Sequence, residues 1–225
     1  MTEKISYTEL YQKLFHYYGP QGWWPAASDF QMLISAILVQ RTNWKNVELA
    51  LANLGKDAAA ERLIQMEEAV LAEKIRPSGF YRMKAKKIKA WLHWFQKYDF
   101  QVERIQSVDQ AVLRKELLAI HGIGEETADA MMLYAFDKAG FIADTYAMRL
   151  FHRIGYQLPK TYHALKIEVE NFFPHDLKMH QEFHALIVEH GKQYCKKTPL
   201  CENCPLLSFC WTGEKKTNGE RNLLS

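Results

Sequence analysis

The sequence predicts an all-α protein. Apolar residues recur at three- and four-residue spacing along most of the chain, sustained strand-like alternation is nearly absent, and glycine or proline breaks divide the chain into about ten helical segments. With 225 residues, 48% of them hydrophobic, the chain is globular and long enough to bury one large core or two small ones.

The segments follow in order. After Ser28-Asp29, the positions Leu33, Ile34, Ile37 and Leu38 predict a helix, and Val47, Leu51 and Leu54 predict the next. Beyond the Pro77-Ser78-Gly79 break, Ile88, Trp91, Leu92 and Phe95 mark another, and Leu113, Leu117 and Leu118 lead into "HGIG". Thr127, Ala128, Met131 and Tyr134 resume the helical pattern. "FIAD", at 141–144, is too short to argue a sheet, and Asp144 stands as a natural N-cap before "TYAMRLFHRIG". No repeat is visible, and the polar tail from Gly213 reads as frayed.

The formal charge of +3 and pI near 8.5 suit a protein that meets polyanions without identifying one. Between residues 82 and 97 the chain carries Arg82, Lys84, Lys86, Lys87, Lys89 and Lys97 and no acid. This stretch is either a phosphate-facing patch or a solvated helix face. The N-terminus lacks the pattern of a signal peptide, and no run approaches the roughly 20 apolar residues needed to span a bilayer. A cytoplasmic protein with no membrane partner is expected, whose cysteines are thiols or metal ligands rather than disulfides. The nine histidines, His184 and His190 among them, show no metal-ligand spacing with acids and read as surface or DNA-facing residues.

All four cysteines fall within sixteen residues, at Cys195, Cys201, Cys204 and Cys210, with spacers of five, two and five. Tetrathiolate sites hold zinc or an iron–sulfur cluster. Zinc sites more often bring two CxxC pairs together across a longer loop, so one CxxC flanked by single cysteines favours [4Fe-4S]. A small electron carrier has no use for some 190 residues of helix before its cysteines.

Gly122-Ile123-Gly124 allows a tight helix-to-helix turn with backbone N–H groups pointing outward at a helix start, a nest able to bind phosphate. Many all-α proteins turn corners in the same way. The six tryptophans fall largely in the N-terminal half, where they are either core or a stacking surface; Trp23, Trp24 and Pro25 sit beside a Gly-rich turn, and Trp44 follows Gln40 by one helical turn.

Taken in order, the glycine hairpin, the following helix, the apolar connection, Asp144-Thr145, and the four-cysteine loop resemble the helix-hairpin-helix DNA glycosylases of the endonuclease III family. "LISAILVQRTNWKNV" and "SGFYRMKAKKI" are similar to two further segments of that family, and the likeness runs from "YQKLF" to Cys210. The resemblance implies two helical lobes, residues 23–136 and residues 1–22 with 137–225, that bind double-stranded DNA at the cleft between them. It also implies a monomer associated with the nucleoid, acting in base excision repair. Residue by residue, it makes Asp144 the catalytic aspartate, Gly122, Ile123, Gly124 and Thr127 the phosphate-gripping hairpin, and Gln40 the plug for an extruded nucleotide. Phe80, with Tyr81 beside it, becomes the wedge, Lys84 a DNA contact, and the four cysteines the ligands of a [4Fe-4S] cluster. The first cysteine spacer is one residue shorter than the family's usual six.

Lyase-competent members of the family carry lysine where this chain has Glu126, and a carboxylate cannot form an imine. The expected reaction is hydrolysis of the N-glycosidic bond without strand incision. Glu126 is either a pocket residue touching base or water, or an acid placed to favour the helix dipole. Glutamate here, together with Trp-Trp-Pro, is similar to the endonuclease-III-like 3-methyladenine glycosylases. Trp23, Trp24, Pro25 and Trp44 would then stack on an extruded, cationic alkylated base, since tryptophan is the best aromatic partner for a cation. The alternatives are mispaired thymine or uracil, an oxidised pyrimidine, or a catalytically silent DNA-binding module. The adenine-mispair branch, with its large C-terminal recognition domain, is not expected, because Cys210 stands only fifteen residues from the end.

Overall fold

The structure is a computed structural model and describes residues 5–214. The tail expected to fray therefore lies, from residue 215 onward, outside the described residues. The helices are α1 (Tyr7–Tyr18), α2 (Asp29–Leu38), α3 (Trp44–Leu54), α4 (Ala60–Gln65), α5 (Glu68–Lys74), α6 (Tyr81–Phe95), α7 (Val102–Gln106), α8 (Gln110–Ala119), α9 (Glu125–Tyr134), α10 (Thr145–Ile154), α11 (Tyr162–Phe172) and α12 (Leu177–Gln193). No strand occurs among the described residues. Helices α4, α5 and α7 hold six, seven and five residues, too few for the apolar period to announce them.

The chain divides into two compact units. One is Trp24–Lys138; the other joins the segment up to Trp23 to the segment from Ala139. In the Trp24–Lys138 unit, α2 is buried at every position from Met32 to Leu38 and packs against α6 and α9. A helix apolar on all sides has to be enclosed, and α9, buried from Thr127 to Tyr134, supplies one wall. Helix α6 adds Ile88, Trp91, Leu92 and Phe95, with the Trp91 and Phe95 rings 4.9 Å apart. Trp91 and Trp94 are thus core residues.

The lysines of α6 help to end other helices. Lys84 Nζ donates to the carbonyls of Leu38 at 2.7 Å and Ser78 at 2.6 Å, closing the C-terminus of α2. Lys89 Nζ does the same for α4, donating to Leu63 and Ile64, both at 2.8 Å, and to Met66.

In the other unit, Ser6 and Glu9 form a reciprocal capping box that starts α1. Helix α12 packs against α1 and α10. Leu10, Leu14, Phe151, Phe183, Leu186 and Ile187 form the centre of its core, with Phe141 5.8 Å from Phe151 and Phe173 4.8 Å from Phe183. Asp144 caps α10, its Oδ1 accepting from Ala147 N at 2.8 Å.

Candidate active site

The hairpin between α8 and α9 is built as the glycines require. Gly122 has φ +86, which L side chains rarely adopt, and a Cβ there would lie 2.3 Å from Lys87 Cγ. Gly124 has an extended backbone and is the N-cap of α9, which starts without a side-chain cap. Ile123 turns inward and is buried, and its backbone N–H donates to Ile120 O at 3.1 Å. Glu126 is exposed in the first turn of α9, beside Glu125.

Gln40 is bound to this hairpin. Its Nε2 donates to Thr127 Oγ1 at 3.0 Å and to Gly122 O at 3.3 Å, while its Oε1 accepts from Lys87 Nζ at 2.5 Å. Burial lowers the Lys87 pKa, and the nearby Arg41 charge lowers it further. The structure thus joins three residues far apart in sequence, Gln40, Lys87 and Thr127, into one network.

Phe80 projects 63% exposed from a left-handed backbone with φ 47 and ψ 29, at the N-cap of α6. An apolar side chain held outward by an unfavourable backbone is a feature of functional segments rather than of stability. Arg41, which follows Gln40, also has positive φ, at 55, and its Cζ lies 6.0 Å from the Phe80 ring centre. The sequence reading missed Arg41, and positive φ at a non-glycine residue leaves no compositional signal. Tyr81 is half-buried, with Arg76 Cζ at 5.9 Å and Arg82 Cζ at 5.7 Å from its ring.

The tryptophans divide between the two units. Trp24 and Trp44, both half-buried, meet edge-on at 5.8 Å, and Trp24 meets the buried Tyr134 at 5.3 Å. Trp24 Nε1 donates to Ser35 Oγ at 2.7 Å, which accounts for a serine buried in an apolar helix. Pro25 is exposed. Trp23 belongs to the other unit, where it meets His184 edge-on at 5.7 Å and carries Lys192 Nζ 4.9 Å over its face.

The Asp144 carboxylate is nearly enclosed. With Oδ1 committed to the helix cap, Oδ2 faces His184 Nε2 at 3.6 Å, and the two side chains are 9% and 7% exposed.

The four cysteines line one cavity together with Leu150, Arg153, His190 and Tyr194. Arg153 Nη1 donates to Cys195 Sγ at 3.3 Å, and His190 Nε2 lies 3.7 Å from Cys204 Sγ. Burial pushes the Cys204 thiol up to about 11 and raises that of Cys210. Among the described residues no set of three or more His, Cys, Asp or Glu is gathered to hold a single metal ion.

Three expectations are corrected by these positions. Lys84 is not a phosphate contact: it is 2% exposed, its ammonium is used by two carbonyls, and burial lowers its pKa to about 8. The Ile123 backbone N–H, expected to face phosphate, donates instead to Ile120 O at 3.1 Å. His184 and His190 are buried at 5% and 1% rather than on the surface.

The profile of the HhH-GPD superfamily base excision DNA repair proteins matches residues 34–175, a span that holds Gln40, the hairpin and Asp144. The chain belongs to that superfamily. As an HhH-GPD chain it is a base excision DNA glycosylase of the endonuclease III type. It is 42% identical over 207 residues to a protein of Methanocaldococcus jannaschii named a DNA repair glycosylase, covering 90% of this chain and 94% of that one. It is 30% identical over 203 residues to endonuclease III of Thermotoga maritima, covering 85% and 86%. Among solved structures, 3-methyladenine DNA glycosylase (MagIII) of H. pylori bound to 1,N6-ethenoadenine superposes with a TM-score of 0.74 at 28% identity, over 87% of this chain and 100% of that one. A trapped endonuclease III–DNA covalent intermediate superposes at 0.80 with 21% identity, over 95% and 99%, and shows the shared fold. No helix among the described residues of this HhH-GPD chain is long and apolar enough to cross a membrane.

Proposed function

We propose that this glycosylase is monofunctional and releases an alkylated purine such as 3-methyladenine from duplex DNA. The observation that carries the reading is Glu126, a carboxylate at the hairpin position where a lyase needs an amine. As the base departs, the sugar gains positive charge, and Asp144 is the anion that stabilises it and orients the attacking water. Oδ1 is occupied by the helix cap, so the chemistry falls to Oδ2. A purine nucleotide alkylated at N3 or N7 is cationic and its base leaves readily, so for such a substrate the enzyme needs no strong general acid.

Gly122, Gly124 and Thr127 grip the phosphate backbone, and Gln40 fills the gap left by the flipped nucleotide. Phe80, flanked by Arg41 and Tyr81, enters the stack, and the aromatic residues Trp23, Trp24 and Trp44, with Pro25, receive the base. Similarity to the glycosylase bound to ethenoadenine supports the purine reading. The enzyme acts as a monomer on DNA in the cytoplasm, associated with the nucleoid.

Cys195, Cys201, Cys204 and Cys210 hold a [4Fe-4S] cluster. Buried thiols of raised pKa stay protonated unless a metal supplies compensating charge, and Arg153 and His190 stand ready to donate to thiolate sulfur, so the residues present fit the group. The cluster, when bound, supplies the crosslink that orders residues 195–210.

The test is one set of duplexes carrying 3-methyladenine, ethenoadenine, uracil opposite guanine, or an oxidised pyrimidine, developed with and without hot alkali. Purine release with breaks only after alkali is the expected result. Breaks before alkali would overturn the assignment of Glu126, and release of uracil or the oxidised pyrimidine alone would overturn the purine assignment.

A further inference from the structure

We propose that His184 is a positioning residue for Asp144, holding the second carboxylate oxygen in the orientation from which it faces the developing charge on the sugar. The proposal rests on the reading that Asp144 carries the chemistry, and it adds a residue that the sequence alone placed on the surface.

Asp144 Oδ1 is fixed by Ala147 N at 2.8 Å. One anchor leaves the carboxylate free to rock about its Cβ–Cγ bond, and an oxygen that must meet a reacting centre needs a second. The side chain found opposite Oδ2 is His184 Nε2, at 3.6 Å. That is longer than a formed hydrogen bond, and catalytic contacts of this kind often tighten only when substrate is bound.

The approach is set by packing rather than by chance at a surface. His184 lies on α12, forty residues from Asp144 in sequence, on the helix that packs against α10. Both side chains are nearly enclosed. The edge-on ring of Trp23 borders the imidazole at 5.7 Å, and Lys192 covers the Trp23 face. An Nε2–H donor at this position steadies the anion without removing its charge, whereas an imidazole pointing its lone pair at Oδ2 would repel it.

Two measurements decide the matter. The first follows single-turnover base release from the same set of damaged duplexes for the native chain, His184→Ala, His184→Gln, Asp144→Asn and Asp144→Asn with His184→Ala. His184→Ala is expected to slow release by about ten- to a hundred-fold with DNA affinity unchanged. His184→Gln, whose amide can still donate, should recover much of that loss. In the Asp144→Asn background, His184→Ala should add nothing. An unchanged rate in His184→Ala, no recovery with glutamine in a folded variant, or an equal further drop in the Asp144→Asn background would overturn the proposal. Asp144→Asn at native speed would instead overturn the reading on which it rests.

The second measurement needs no turnover. Proton–nitrogen correlation spectra of the imidazoles should show His184 as the Nε2–H tautomer, with nitrogen shifts that move in Asp144→Asn. The opposite tautomer, or shifts indifferent to position 144, would also refute it.

Discussion

His180 is 1% exposed, and neither of its ring nitrogens finds a hydrogen-bond partner. Burial lowers its pKa to about 4, from an ordinary value of 6.5. Between those values the unfolded chain binds a proton that the folded chain refuses, so stability falls as pH drops from 6.5 towards 4, by about 1.4 kcal/mol per pH unit for this one group. Urea titrations at pH 7, 6 and 5 should show the decline. His180→Leu, which removes both nitrogens, should reduce it and match or exceed the native stability at pH 5. An acid limb identical in the variant would exclude His180 as its source.

Glu126 gives a second prediction for a single side chain. Because it is exposed in the first turn of α9, Glu126→Lys is expected to fold and to place an amine where related lyases have theirs. Borohydride should then trap a covalent complex with abasic DNA that the native chain does not form. Failure to trap it in a folded variant would mean that position 126 lies away from the sugar. Glu126 was legible from the sequence because the hairpin glycines locate it by counting. Lys84 was not: a lysine that caps a neighbouring helix and one that contacts phosphate have the same local sequence, and only tertiary packing separates them.

At the scale of elements, the α8–α9 hairpin shows how two glycines in one turn differ in their tolerance. Gly122→Ala must adopt φ +86 and would bring its Cβ against Lys87, whose Nζ is held by Gln40, so the cost is about 1–2 kcal/mol or more. Gly124 has an extended backbone, and an added Cβ meets nothing within 4 Å. Gly122→Ala should therefore lower the melting temperature and weaken binding to every duplex alike, whereas Gly124→Ala, which only exchanges one N-cap residue for a poorer one, should lower the melting temperature less. Equal melting temperatures for the two would contradict this account.

Helices α2, α3, α6, α8, α9 and α10 were readable because each carries at least ten residues of apolar period. Helices α4 and α5 are held largely by packing on α6, and local pattern carries little of that information. Helix α6 is the instructive mixture. Its apolar face was legible, but its basic face was not one face: Lys84 and Lys89 turn towards carbonyls, Lys87 towards Gln40, and Arg82 and Lys86 remain exposed.

For the whole molecule, that sorting narrows the electrostatic footprint. Binding to DNA should weaken with salt, and removing Arg82 or Lys86 should reduce the logarithmic salt slope by about 0.9 for each phosphate that is no longer neutralised, whereas Lys84→Met should reduce stability and leave the slope intact. A slope indifferent to Arg82 and Lys86 would remove α6 from the interface. The cysteine loop makes a separate prediction. On the proposed ligand assignment the native chain should purify with visible absorbance, iron and sulfide, and Cys204→Ser should lose all three and make residues 195–210 susceptible to protease. Retention of iron by that variant would refute the ligand assignment.

The left-handed backbone at Phe80 has a consequence for anyone trying to toughen this enzyme. Glycine would relax that residue at once, and Phe80→Gly is expected to raise the midpoint of thermal unfolding even as it strips away the one large ring that stands 63% clear of the surface there. A selection for heat resistance alone would therefore favour losing it, and, on the wedge role proposed for Phe80, would yield hardier molecules that search a damaged genome less well.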